Sequence, residues 1–187
     1  MSSYEAGTLA GVGSFRCESC DFAVALHMGD EVPPCPSCGG RVFHRSSLFG
    51  APAAAPAPRS DGPAPDWLEE ARGGLVREGD YMAFDDGGRV RVVALQEGWT
   101  RIGRSLAAQL RLDDPTVSRR HALIHREDSG ATVLDDRSLN GVFRNGERVE
   151  RAEIADGDAV SVGRYTLHFL HLAGERSSQR VAGAARA

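Results

Sequence analysis

Ala131-Thr132-Val133-Leu134-Asp135-Asp136-Arg137-Ser138-Leu139-Asn140-Gly141-Val142-Phe143-Arg144-Asn145-Gly146-Glu147-Arg148-Val149 is the stretch that decides the fold. Residues 131–135 have the short, alternating pattern of a half-buried strand. Asn140-Gly141 is a turn dipeptide. Asn145-Gly146, set between Val142-Phe143 and Val149, is the signature of a two-residue β-hairpin. Working outward, the same pattern recurs at 81–84, 90–95, 99–103, 122–126, 159–163 and 166–172. Asp86-Gly87-Gly88, Ser129-Gly130 and Asp156-Gly157 punctuate these segments as turns. Many short strands, frequent turns and no long amphipathic helix predict an antiparallel β-sandwich. In such a fold, binding residues are expected in loops at one end.

Beyond these strands the chain changes character. Residues 1–45 hold all four cysteines and 46–65 alternate Ala with Pro. Residues 66–74 form a short helix or connector, 75–172 the strand-rich domain, and 173–187 a small Arg- and Ser-bearing tail that is expected to be disordered. The Ala/Pro segment has almost nothing to bury and reads as a semi-rigid polyproline spacer of about 3.1 Å per residue. In the connector, Asp66 and Glu69 have capping-box spacing, and Gly73 is placed to end the helix. Trp67 and Leu68 then share an apolar face that fastens the linker to the second domain.

Composition narrows the function classes. Of the 187 residues, 41% are hydrophobic and 26% charged, with a formal net charge of −4. Every basic side chain is Arg, since the sequence contains no Lys; GC-rich codon usage explains that more simply than selection for guanidinium. The negative balance predicts no general attraction to nucleic acid or to anionic lipid. No apolar run approaches the roughly 18 residues of a membrane span. The first residues lack the basic start and apolar core of a signal peptide. The expected setting is the cytoplasm, with no membrane partner.

Cys17-Glu18-Ser19-Cys20 and Cys35-Pro36-Ser37-Cys38 are two CxxC pairs with fourteen residues between them. Each pair curls into a knuckle offering two thiolates, and two knuckles complete the tetrahedral sulfur set that zinc prefers. Gly39-Gly40 permits the backbone turn that a knuckle needs. Strands are expected at 22–26 and 41–44. A structural Zn2+ on Cys17, Cys20, Cys35 and Cys38 would supply the folding energy that so small a core lacks. A disulfide framework does not suit a chain without a secretion signal, and a redox CxxC needs a βαβ context. Iron in a rubredoxin-like site is the remaining alternative. His27 and His44 are surplus to a complete four-cysteine set. A closed site has no open position for catalysis. The segment carries three Arg against five Asp and Glu, a net charge of −2, which disfavours a nucleic-acid-binding ribbon. A nucleic-acid-associated or transcription-linked protein using the ribbon is the alternative function.

The loops of the strand-rich half carry the most specific pattern. Ile102-Gly103-Arg104 closes one strand, Val117-Ser118-Arg119-Arg120-His121-Ala122 follows, and then comes Asp136-Arg137-Ser138-Leu139-Asn140-Gly141. Asp156-Gly157-Asp158 and Val162-Gly163 complete the set. In this order and spacing, from about 75 to 172, the chain resembles the forkhead-associated (FHA) family. The resemblance implies an all-β, FHA-type antiparallel β-sandwich, here with a small N-terminal zinc ribbon built on the four cysteines. It also implies that Arg104, Ser118, Arg119, Leu139 and Asn140 bind a phosphothreonine peptide. Gly103, His121 and Gly141 would be architectural, and a Ser/Thr protein kinase would act upstream.

The residue chemistry agrees with that implication. A phosphate brings nearly two negative charges and three strong acceptor oxygens. Arg104 can meet two of those oxygens with a planar fork, Ser118 adds a hydroxyl donor, and Arg119 a second cation or a peptide contact. Asn140 has the donor and acceptor to pin an extended main chain. Leu139 departs from the commoner pattern, which has a threonine there, so only backbone N–H groups can help at that position. Arg120 and Arg137 are expected to be merely solvated. No nucleophile–base–orienter set and no phosphate-binding glycine loop points to an enzyme. Thr8, expected on a flexible N-terminal arm, is a candidate self-ligand if phosphorylated.

Overall fold

The computed structural model describes residues 3–46 and 64–173. The expected spacer, but for its ends, and the expected C-terminal tail after Ala173 lie outside the described residues.

Four short strands build the N-terminal unit: β1 (Ser3–Glu5), β2 (Gly13–Cys17), β3 (Ala23–Leu26) and β4 (Val42–Ser46). They pair antiparallel in the order β1-β4-β2-β3, which leaves β3 as an edge. Phe15, Phe22, Val24 and Phe43 are fully buried beside Cys17 and Cys35, so the thiols are part of the core. Each buried aliphatic or aromatic side chain contributes about 1.5–3 kcal/mol. So few of them leave a unit this small in need of a cross-link or metal. Thr8 does not sit on a free arm. It lies in the turn between β1 and β2, where its N–H bonds Glu5 O and its carbonyl accepts from Val32 N–H.

The one helix among the described residues, α1 (Trp67–Gly73), enters the second unit. Leu68 is buried against Ala83 and Leu170, with Trp67, Leu75 and Tyr81 around it, as the apolar pair predicts. The expected capping box does not form. Asp66 already has helical angles (φ −54°, ψ −33°) and makes no side-chain cap bond. The turn starts one residue earlier, with Leu68 N–H bonded to Pro65 O, so the Asp66 side chain is not aimed at the first-turn amides. Gly73 is the last helical residue and Gly74 provides the C-cap.

The sandwich strands follow: β5 (Gly79–Asp85), β6 (Val90–Ala94), β7 (Gly98–Gly103), β8 (Leu110–Arg111), β9 (Ala122–Glu127), β10 (Gly130–Asp135), β11 (Val142–Arg144), β12 (Glu147–Val149), β13 (Arg151–Ile154), β14 (Ala159–Val162) and β15 (Tyr165–Leu172). One sheet runs β13-β10-β9-β7-β8 and the other β12-β11-β14-β15-β5-β6. All pairs are antiparallel except β7–β8. Inward-facing Met82, Phe84, Ile102, Ile124, Val133, Val160, Leu167 and Phe169 from both sheets form one core. The β11–β12 hairpin turns through Asn145 and Gly146, both at positive φ (50° and 83°), the mirror-image turn that this dipeptide favours. No helix among the described residues is long and apolar enough to cross a membrane.

Candidate functional site

Three loops meet at one end of the sandwich. The first leaves β7 at Gly103. Arg104 N–H bonds Ser118 O (3.0 Å) and Ser105 N–H bonds Arg119 O (3.2 Å), while His121 N–H returns to Ile102 O (3.0 Å). The second loop thus lies directly over the end of β7. A side chain at Gly103 would strike the Ser118 and Arg119 carbonyls, both backbone, so the approach requires glycine.

His121 ties the second loop to the third. It is fully buried, its Nδ1 accepts from Ser118 N–H (3.0 Å), and its Nε2 lies 3.2 Å from Gly141 O. With Nδ1 accepting, the proton must sit on Nε2 and point at that carbonyl. Burial pushes the imidazole down to about 4, with the Gly141 carbonyl and Asp135 opposing it, so the ring is neutral near pH 7. Ser118 Oγ accepts from Leu139 N–H (3.1 Å), a second strut between the same loops. Asp135 accepts from Ser138 N–H (2.7 Å) and Oγ–H (3.1 Å), and Ser138 Oγ accepts from Gly141 N–H (2.8 Å). The sequence reading gave neither Asp135 nor Ser138 a bracing role, although Asp followed by Ser three residues on is a recognisable side-chain-to-backbone turn.

These struts bring Arg104, Ser118, Arg119, Leu139 and Asn140 to one apex, with Gly103, His121 and Gly141 beneath it. Arg119 is exposed. Arg120 is not simply solvated, for its Nε and Nη2 form a two-pronged pair with Asp136 at 2.8 and 2.7 Å. Arg104 is buried to 7% exposure and its Nε has no hydrogen-bond partner. Desolvation pulls its pKa below the ordinary guanidinium value, while Asp30, Asp113 and Asp114 act the other way. Asn140 is 2% exposed. Its amide accepts from Ala23 N–H (2.8 Å) and donates to Ala23 O (2.7 Å) and Thr116 O (3.2 Å). A cavity of about 650 Å³ opens beside these groups, lined by Arg104, Ser118, Arg119 and Arg137 on one wall and by Val12 and His27 on the other.

The second candidate centre is sulfur. The Sγ atoms of Cys17, Cys20, Cys35 and Cys38 all lie within 4.8 Å of one another. Cys17–Cys38 is 3.6 Å and Cys20–Cys35 3.5 Å. Four ligands at about 2.3 Å from a tetrahedral centre sit roughly 3.8 Å apart, so the set fits one metal ion. Gly39 turns at φ +77°, and a Cβ on Gly40 would come within 2.9 Å of Cys17 Sγ and 3.2 Å of Cys38 Sγ. The sulfur cluster therefore leaves no room for a side chain there. Gly40 N–H bonds Cys38 Sγ (3.3 Å) and helps hold that thiol down to about 7. The group contains no histidine among the described residues.

Residues 100–163 match the family model of the FHA domain, and residues 1–47 match that of a zinc-ribbon containing domain. The glycogen accumulation regulator GarA of Mycobacterium tuberculosis is 43% identical over 76 residues, covering 41% of this chain and 47% of the relative. The oxoglutarate dehydrogenase inhibitor of Corynebacterium diphtheriae is 41% identical over 71 residues, covering 38% and 50%. A solved chain from a structural and functional analysis of phosphothreonine-dependent FHA domain interactions is 35% identical. It covers 51% of this chain and 98% of that one, with a TM-score of 0.47. The chain spans about half the length of the curated relatives it matches.

Proposed function

Because this chain is an FHA-domain protein with an N-terminal zinc ribbon, we propose that it is a phosphothreonine-peptide-binding regulator or adaptor, not an enzyme, acting in the cytoplasm downstream of a Ser/Thr protein kinase. The observation that carries this reading is the apex. Three loops, strutted through neutral His121 and Ser118, gather Arg104, Ser118 and Arg119 along one cavity, with Asn140 buried next to Leu139 of its wall.

Arg104 is the phosphate anchor. Its fork meets two phosphate oxygens, and each charge-assisted hydrogen bond is worth about 1.5–3 kcal/mol, so two or three support micromolar affinity after binding costs. The Ser118 hydroxyl accepts from Leu139 N–H, which leaves its own proton free for a third oxygen. Arg119 adds long-range attraction. Asn140 holds the peptide main chain, and Leu139 contributes only its backbone and apolar surface. The four cysteines hold Zn2+, which supplies folding energy to residues 1–45. That ribbon is a second docking surface beside the 75–172 sandwich.

The test is a fluorescence-anisotropy titration of the full chain with matched phosphothreonine, phosphoserine and unphosphorylated peptide pools, repeated with Arg104→Ala. Saturable binding of the phosphothreonine pool, reduced at least about tenfold by loss of one charged anchor, is expected. Equal binding of all three pools, or no effect of Arg104→Ala, would overturn the reading.

A further inference from the structure

The ribbon's edge strand meets the apex through its main chain. In β3 the amides alternate: Cys17 N–H bonds Phe22 O (3.0 Å), so Phe22, Val24 and Leu26 turn their backbone groups toward β2. Those of Ala23 and Ala25 therefore point away from the ribbon sheet, where an edge strand offers unpaired donors and acceptors. Both residues are engaged by the sandwich. Ala23 exchanges a donor and an acceptor with the Asn140 amide at 2.8 and 2.7 Å, and Ala25 N–H bonds Pro115 O at 2.7 Å. Seven residues beyond Ala23, Asp30 Oδ2 stands 3.7 Å from Arg104 Nη1.

We propose that the ribbon is the resident ligand of the phosphopeptide-binding apex: β3 takes the place of the peptide main chain, and the Asp30 carboxylate takes the place of the phosphate. The proposal rests on the phosphopeptide reading and adds its regulation. Asn140 has its donor and its acceptor committed to Ala23, so a peptide has to displace β3 to be pinned. The substitution is incomplete at the anion end. A carboxylate brings one charge where a phosphate brings nearly two, and 3.7 Å is an ion pair without a hydrogen bond. Arg104 Nε stays buried and unpartnered. The contact thus blocks unphosphorylated strands while leaving Arg104 a better partner to gain. Affinity for an external ligand falls by the fraction of molecules whose apex is open.

Two substitutions in the full chain test this without touching the apex. Asp30→Asn removes the charge but keeps an acceptor for His27 N–H, which Asp30 now caps at 2.7 Å. Ala25→Pro removes a donor that the ribbon ladder does not use, and an edge strand tolerates that. Affinity is read with a fluorescein-labelled degenerate phosphothreonine peptide pool, and hydrogen exchange is followed at the Ala23 and Ala25 amides. The expected result is binding about tenfold tighter in either variant than in the natural chain, as an apex freed from a mostly closed state requires. Exchange protection at both amides should be present in the natural chain and lost when the pool is added. Equal affinities across natural chain and variants, or exchange at the rate of free edge amides, overturns the proposal while the phosphopeptide reading stands. Binding by none of the three proteins overturns both.

Discussion

His121 braces the apex because its two nitrogens play opposite parts, Nδ1 accepting from Ser118 N–H and Nε2–H facing Gly141 O. Full burial disfavours the charged ring and is the main reason its pKa sits near 4 instead of 6.5. A second proton would also set an Nδ1 donor against the Ser118 donor. Between those values the unfolded chain binds a proton that the folded chain does not, and acid favours unfolding. The stabilisation is whole above about pH 6.5 and disappears as pH falls through about 4, an effect of roughly 3 kcal/mol by linkage. His168, whose pKa burial also lowers, adds to the same slope. Urea unfolding at pH 7 and pH 4.5 checks the assignment. The natural chain should lose more stability on acidification than His121→Asn, which should start lower at pH 7. A parallel loss in both proteins would remove His121 from this role. That the loops of Gly103, Ser118, His121 and Asn140 belong together was legible only through the motif order that carries the FHA resemblance. The contacts that join them, Gly103 under the Ser118 and Arg119 carbonyls and His121 between Ser118 and Gly141, are seen in the fold. Arg120 misled, because its partner Asp136 is brought near only when two loops fold together.

At the level of elements, strands with one face in the core were readable from alternation, as in β10, where Ala131 and Val133 are buried and Thr132 and Leu134 less so. Elements held mainly by their neighbours were not readable. Strand β8 is two residues long and exists by pairing with the end of β7. Strand β13 is mostly polar, with Ile154 its one buried residue. The capping box failed because spacing alone cannot say where the chain enters the helix, and Pro65 sets that point. The ribbon's knuckles were legible because metal geometry dictates ligand spacing. Strand β3 lies between the two cysteine pairs, so its position depends on their being held together. Stripping the protein with a strong chelator under reducing conditions should abolish amide protection in residues 13–46 and leave β5, β9 and β15 protected. A ribbon that keeps its protection without metal would show that its apolar core suffices.

On the scale of the whole molecule, the contact between ribbon and apex was hidden from sequence reading for a physical reason. It is made by backbone groups of Ala23 and Ala25, whose side chains carry no recognition signal, and by one acid among many. Only the fold shows that β3 is an edge and that its free amides face Asn140 and Pro115. Residues 47–63 join the two units covalently, which keeps the ribbon at an effective concentration of order millimolar around the apex of its own chain. A contact made within one chain is independent of protein concentration, whereas one made between chains weakens on dilution. The ratio of phosphopeptide affinities between Asp30→Asn and the natural chain should therefore stay constant from about 0.1 to 100 µM protein, far below that effective concentration. Sedimentation should report a monomer throughout that range. A ratio that falls toward one on dilution, together with a dimer at the upper end, would place the ribbon of one molecule on the apex of another. The same hydrogen bonds would then hold a reciprocal pair, and phosphopeptide binding would dissociate it.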